Sequence, residues 1–128
     1  MSIRRPAKIL VVDDVSFLRV VLRDILVHQE IASTVYEAAD GLEAVEAYEK
    51  FRPDIVALDI VMPRMDGIQA LKKIISINPK AKIIIISSEK NRAAVQEAIK
   101  LGAQDYILKP FDRIHVGPVF DKVMRQKD

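Results

Sequence analysis

The chain contains no cysteine, which excludes a disulfide scaffold, a zinc finger and a thiol nucleophile. It also lacks an apolar segment near its start. Met1 to Ala7 carries Arg4, Arg5 and Pro6, so no secretory signal is read there. Long hydrophobic runs are missing as well: the longest purely apolar ones, Ile9–Val12, Ile55–Leu58 and Ile83–Ile86, are far too short to cross a bilayer. Neither sign of charge dominates. Twenty Lys and Arg against 18 Asp and Glu leave +2, too weak a bias to suggest nucleic-acid binding. No G-x-x-x-x-G-K-[ST] run occurs, so a nucleotide-binding P-loop is excluded. With 128 residues and neither a Ser/Gly linker nor low complexity, the expectation is one soluble cytoplasmic domain over 1–128. A chain of this size buries roughly two-thirds of its unfolded surface without help from a staple.

What is present is an alternation of short β-like runs and helical stretches. Ile9–Val12 is a first strand ended by Asp13 and Asp14, with Ser16 expected to cap a helix through Phe17, Val20, Val21, Ile25 and Leu26. Thr34–Ala38 reads as a second strand. Asp40 with Glu43 resembles a capping box opening a helix that Pro53 stops. Ile55–Leu58 is a third strand delivering Asp59, followed by a loop with Met62, Pro63 and Met65 and a helix capped by Asp66. Ile83–Ile86 precedes Ser87 and Ser88. A helix around Ala93–Leu101 ends at Gly102, and Tyr106–Leu108 runs into Lys109–Pro110. Central strands that are apolar throughout argue for a parallel sheet covered on both faces, hence an open doubly wound α/β fold.

In such sheets ligands sit beyond the carboxyl ends of the strands. The polar residues fall at those ends: Asp13 and Asp14 after strand one, Asp59 after strand three, Ser87 after strand four, Lys109 after strand five. Taken singly each has a plain reading, as a turn residue, a cap, a loop hydroxyl or a surface charge. Together they make a site. Three adjacent carboxylates raise one another's pKa unless a cation lies between them, and a hard divalent ion such as Mg²⁺ suits all-oxygen donors. Lys109 and Ser87 suit the oxygens of a phosphoryl group.

At these residues the chain resembles the receiver domain of bacterial and archaeal two-component response regulators, most of all the small stand-alone chemotaxis type. The resemblance rests on ILVVDD (9–14), DIVALDIVMPRMDG (54–67), IIISSE (84–89) and GAQDYILKPF (102–111). It implies a flavodoxin-like five-stranded sheet in the order 2-1-3-4-5. It also implies that Asp59 is the phosphoacceptor, that Asp13, Asp14, Asp59 and the backbone carbonyl of Val61 bind Mg²⁺, and that Lys109, before a cis Pro110, neutralises the phosphoryl charge. Ser87 and Tyr106 would form the switch, Ser87 moving to the phosphoryl group and the Tyr106 ring following inward; the plain alternative is a half-buried strand tyrosine that never moves. Val61 and Glu89 occupy positions that tune dephosphorylation.

The partners implied are a histidine kinase as phosphodonor and an output or motor protein at the face of helix four, strand five and helix five, with the domain a monomer. No output domain follows in the chain, so a separate reader or an excision from a longer regulator is implied. A relay intermediate passing phosphate to a phosphotransfer histidine stays open beside the chemotaxis role. An aspartate-nucleophile phosphatase is disfavoured because its D-x-D would follow strand one, where Asp13–Asp14 are adjacent. A flavin binder is disfavoured because an acidic pair repels phosphate there.

Some residues fit less smoothly. Ser87 stands where threonine is frequent in the family, and Ser88 where alanine is usual. Gly117–Pro118 falls where a second turn of the last helix should lie, so that helix is expected to start late, with Pro118 near its first position and Val119, Phe120 and Val123 buried. Such an entry would alter partner choice. His28 and His115 have no ligand spacing around them and read as surface residues, and Lys122, Arg125 and Lys127 as a solvated basic face.

Overall fold

The computed structural model describes residues 6–126. Strands and helices alternate as β1 (Ala7–Val12), α1 (Ser16–His28), β2 (Ala32–Ala38), α2 (Gly41–Phe51), β3 (Ile55–Asp59), α3 (Gly67–Ile77), β4 (Ile83–Ser88), α4 (Arg92–Leu101), β5 (Asp105–Lys109) and α5 (Arg113–Arg125), with a 3₁₀ turn at Glu89–Asn91 before α4. All strand pairings are parallel, in the order β2-β1-β3-β4-β5. This is the expected doubly wound sheet. β2 and β5 reach past their apolar runs because ladder bonding continues where side chains turn polar.

Each of the central strands β1, β3 and β4 feeds two cores, because successive side chains point to opposite faces. Leu10, Val12, Val56, Leu58, Ile83 and Ile85 face Ala44 and Tyr48 of α2, Leu71 and Ile74 of α3, and Val95 and Ala98 of α4. Ile9, Val11, Ile55, Ala57, Ile84 and Ile86 face Leu22, Ile25 and Leu26 of α1 and Val116, Phe120 and Val123 of α5. Burial of each large side chain stabilises by about 1.5–3 kcal/mol, so the two layers clamp the sheet between them. Met62 belongs to the first core and Met65 packs against it, both as gap-fillers.

Two local expectations are corrected. Ser16 does not cap α1; the N-cap is Val15, with no side-chain cap bond. The turn is closed instead by Asp13, whose Oδ1 accepts the Val15 N–H at 2.9 Å, the short Asx geometry available two residues on. The second correction concerns α5, which is helical from Arg113, with Pro118 inside it and not at its start. Asp112 caps it, Oδ1 accepting the His115 N–H at 3.0 Å, and Val116, Phe120 and Val123 are fully buried. The cap and those anchors outweigh the one donor that Pro118 lacks. Its partner carbonyl would belong to Ile114, which is 78% exposed, where water can serve. Gly117 is there for space: a Cβ would lie 2.5 Å from Oε1 of Gln29, whose Nε2 donates to the Arg113 carbonyl at 3.2 Å. The inference that a remodelled entry redirects partner choice therefore falls.

Candidate functional site

Four strands deliver the site to one edge of the sheet. Asp13 and Asp14 follow β1, Asp59 ends β3, Ser87 is the penultimate residue of β4, and Lys109 ends β5. Asp13, Asp14 and Asp59 each offer one oxygen within 4.8 Å of the others. Asp13 and Asp59 are buried and Asp14 is exposed, so the cluster opens to solvent on one side. Lys109 Nζ donates to Asp13 Oδ2 at 2.9 Å and lies 3.4 Å from Asp59 Oδ2. The Lys109–Pro110 peptide is cis, as the family resemblance implied.

The electrostatics follow from burial and charge count. Burial pushes the Asp59 carboxyl up to about 6; the Lys109 ammonium opposes this, while the Asp13 and Asp14 carboxylates add to it. Burial disfavours the Lys109 ammonium, yet its hydrogen bond to Asp13 and the charges of Asp59 and Asp13 hold it above the ordinary lysine range. One ammonium does not balance three carboxylates, and all the donors are hard oxygens. That donor set fits a divalent cation of the Mg²⁺ kind. Among the described residues this is where carboxylates or imidazoles gather closely enough for a metal. His28 ends α1 and His115 sits on Asp112 at 2.8 Å, both away from that cluster.

Ser87 is almost wholly buried, at 1% exposure. Asp59 pairs with Ile86 across β3–β4, and Ser88 with Lys109 across β4–β5, so Ser87 lies between the strand of Asp59 and the strand of Lys109. Its hydroxyl accepts from Asn91 Nδ2 at 3.1 Å, and the same amide reaches Ser88 Oγ at 3.3 Å. Tyr106 is 46% exposed and lies outside the cluster, in a groove of about 640 Å³ with Arg92, Val95, Ile99, Lys100 and Leu108. Val61, two residues after Asp59, is 60% exposed. The Glu89 side chain lies outside the described residues, as does Lys127. Lys122 pairs with Asp105 at 3.0 Å, so that part of the basic face is neutralised.

Three supports were missed in the sequence. Arg19, on α1, donates to the Asp13 carbonyl at 2.6 Å and to Glu37 of β2 at 3.0 Å, bracing the β1–α1 turn. Asn91 holds Ser87, as described. Arg64, in the loop after β3, donates to Asp40 at 2.6 Å. Nothing in the hydrophobic periodicity marks these polar pairs, and those of Arg64 with Asp40 and Arg19 with Glu37 join residues distant in the chain. The motif glycine at 67 is explained as well: its N–H donates to the Ile60 carbonyl at 2.7 Å, and a Cβ there would overlap the Asp59 carbonyl and the Ile60 Cα.

An acidic cluster and a lysine at the carboxyl edge of a 2-1-3-4-5 sheet define a receiver-type site. The chain belongs to the response regulator receiver domain family, whose model matches residues 9–117. It is 47% identical to the chemotaxis protein CheY of Thermotoga maritima over 120 residues, covering 92% of this chain and 98% of that one. It is 42% identical to the CheY of Listeria monocytogenes over 118 residues, with 92% and 98% covered. The receiver domain of Thermotoga maritima CheB superposes with a TM-score of 0.85 at 37% identity, over 97% of this chain and all of that one. CheY of Borrelia burgdorferi, solved in a CheX–CheY–BeF3–Mg complex, superposes at 0.82 and 38% identity, over 93% and 87%. The chain is thus a response regulator receiver closely related to chemotaxis regulators. No helix among the described residues is long and apolar enough to cross a membrane.

Proposed function

We propose that this domain takes a phosphoryl group from the phosphohistidine of a histidine kinase onto Asp59, acts as one receiver unit in the cytoplasm, and passes the signal to a separate protein of the chemotaxis type. The phosphorus–nitrogen bond of the donor breaks, a bond forms between phosphorus and an Asp59 carboxylate oxygen, and the imidazole leaves with the electron pair. The observation that carries the reading is the Asp13–Asp14–Asp59 cluster held within 4.8 Å, with Lys109 donating into it at 2.9 Å.

Asp13, Asp14, Asp59 and the Val61 carbonyl would hold Mg²⁺. When bound, the ion screens the carboxylates and the incoming phosphoryl oxygens from one another. Lys109 would neutralise an equatorial phosphoryl oxygen, a role supported by its ammonium spanning Asp13 and Asp59. Ser87 would exchange its Asn91 bond for a phosphoryl oxygen, and the Tyr106 ring would turn inward into the space this vacates. One covalent charge then biases two packings. The groove of Ile99, Tyr106 and Leu108, rimmed by Arg92 and Lys100, is the surface the output protein would read. Val61 and Glu89 would set the rate at which water cleaves the acyl phosphate.

Incubation with acetyl phosphate and Mg²⁺ tests the reading. Intact mass should rise by one phosphoryl in the native chain and not in Asp59→Asn. Uptake that persists in the variant, or none in the native chain, overturns it.

A further inference from the structure

The loop from Ile60 to Asp66 carries the acceptor's neighbours into α3. Its first half is anchored by Ile60 and Met62, which are buried in the core. Its second half is held less deeply: Pro63, Arg64 and Asp66 are exposed, and Met65 is half-buried against the first core. The Gly67 N–H closes the loop on the Ile60 carbonyl at 2.7 Å, and a further side-chain tie runs to the start of α2. Arg64 Nε donates to Asp40 Oδ2 at 2.6 Å, a second guanidinium nitrogen meets the same oxygen at 2.5 Å, and that nitrogen lies 3.6 Å from Glu43 Oε2. Beside them the Gly41 N–H donates to the Met65 carbonyl at 3.0 Å. A Cβ on Gly41 would overlap that carbonyl, so the backbones touch.

Both partners are committed to this contact. Asp40 is buried, and its other oxygen accepts the Glu43 N–H at 2.9 Å as the N-cap of α2. Burial pushes its carboxyl up, but the bond from Glu43 and the Arg64 guanidinium prevail and hold it below the usual range. Arg64 has φ of 63°, a left-handed conformation that a residue with a Cβ adopts only where its surroundings dictate it. An arginine held there, with two guanidinium nitrogens on one oxygen of a buried carboxylate, points to a part in shaping the loop.

We propose that Arg64 is a positioning residue for the phosphoacceptor site: through Asp40 it latches the second half of the acceptor loop and so keeps the Val61 carbonyl where a divalent ion bound to Asp59 would need it. This rests on the function proposed above. It concerns a residue outside the acidic cluster and assigns it no contact with the reacting atoms.

Three variants separate the latch from ordinary stabilisation. Arg64→Gly deletes the guanidinium while accepting the left-handed φ without steric cost. Asp40→Asn keeps an oxygen for the α2 cap and removes the charge. Arg64→Lys keeps the charge and loses the fork. Mg²⁺ affinity is measured by calorimetry on the full chain, exchange of the Gly41 amide by NMR, and phosphoryl uptake from acetyl phosphate at low and saturating Mg²⁺. Arg64→Gly and Asp40→Asn should bind Mg²⁺ about tenfold more weakly, as loss of an outer-shell partner does, with Arg64→Lys between them and the native chain. Their Gly41 amide should exchange faster, and saturating Mg²⁺ should restore their uptake. Affinity within twofold of native, even with a lowered urea midpoint, overturns the latch. Failure of the native chain to take up phosphate would instead sink the function while leaving the Mg²⁺ and exchange measurements to judge the latch.

Discussion

The ammonium of Lys109 lies 3.4 Å from Asp59 Oδ2 and closer still, at 2.9 Å, to Asp13 Oδ2. The lysine therefore leans toward Asp13 and leaves Asp59 less than fully compensated. Burial accordingly wins at Asp59 and pushes its carboxyl up to about 6. A divalent cation bound among these carboxylates would favour the charged form.

Asp59→Asn should be more stable than the native chain at pH 7 without metal. The folded value of about 6 lies above the unfolded carboxylate value of about 3.9. The stabilising contribution of the protonated form is thus complete below the unfolded value and lost as pH rises through the folded one. We expect the variant to exceed native by about 1–3 kcal/mol at pH 7, with the gap closing toward pH 4. Urea unfolding in EDTA across that range measures it. Added Mg²⁺ should stabilise the native chain more than the variant.

Pro118→Ala should stabilise. The proline is exposed within a helix that is regular from Arg113, so alanine restores one backbone donor opposite the Ile114 carbonyl. Interior proline costs about 3 kcal/mol, and its stiffening of the unfolded chain returns about 1 kcal/mol. A net gain of about 1–2 kcal/mol is expected by urea titration. A loss would mean that Pro118 makes a compensating contact.

Gly67→Ala should be severe. The added Cβ would overlap the Asp59 carbonyl and sit 2.6 Å from the Ile60 Cα, both backbone atoms that cannot swing aside. Destabilisation above about 2 kcal/mol is expected, together with loss of phosphoryl uptake. At Gly117 the atom in the way is the end of a flexible glutamine, so Gly117→Ala serves as the mild control.

Local chemistry was legible where one residue sufficed to report it. The apolar runs of β1, β3 and β4 announced a parallel sheet, and Asp40 and Asp66 were readable as caps. Even there the details shifted. Glu43 returns its carboxylate to the Ala39 N–H at 2.9 Å, one residue before the position a capping box would use. The late start expected for α5 failed because a proline rule was weighed without knowing that Val116 and Phe120 would be pinned beneath the sheet. Gly117 looked like half of a helix breaker, and proved to make room for Gln29 from an element far away in the chain.

By itself the order of residues determined the alternation of elements, the two-sided burial of the central strands and the carboxylates waiting at strand ends, because these depend on neighbours a few positions apart. Only the folded chain decided which polar groups meet. Lys109 on Asp13, Arg64 on Asp40 and Arg19 on Glu37 join elements distant in the chain. Such pairs form where packed layers happen to bring side chains within hydrogen-bond reach, and no local pattern encodes that distance.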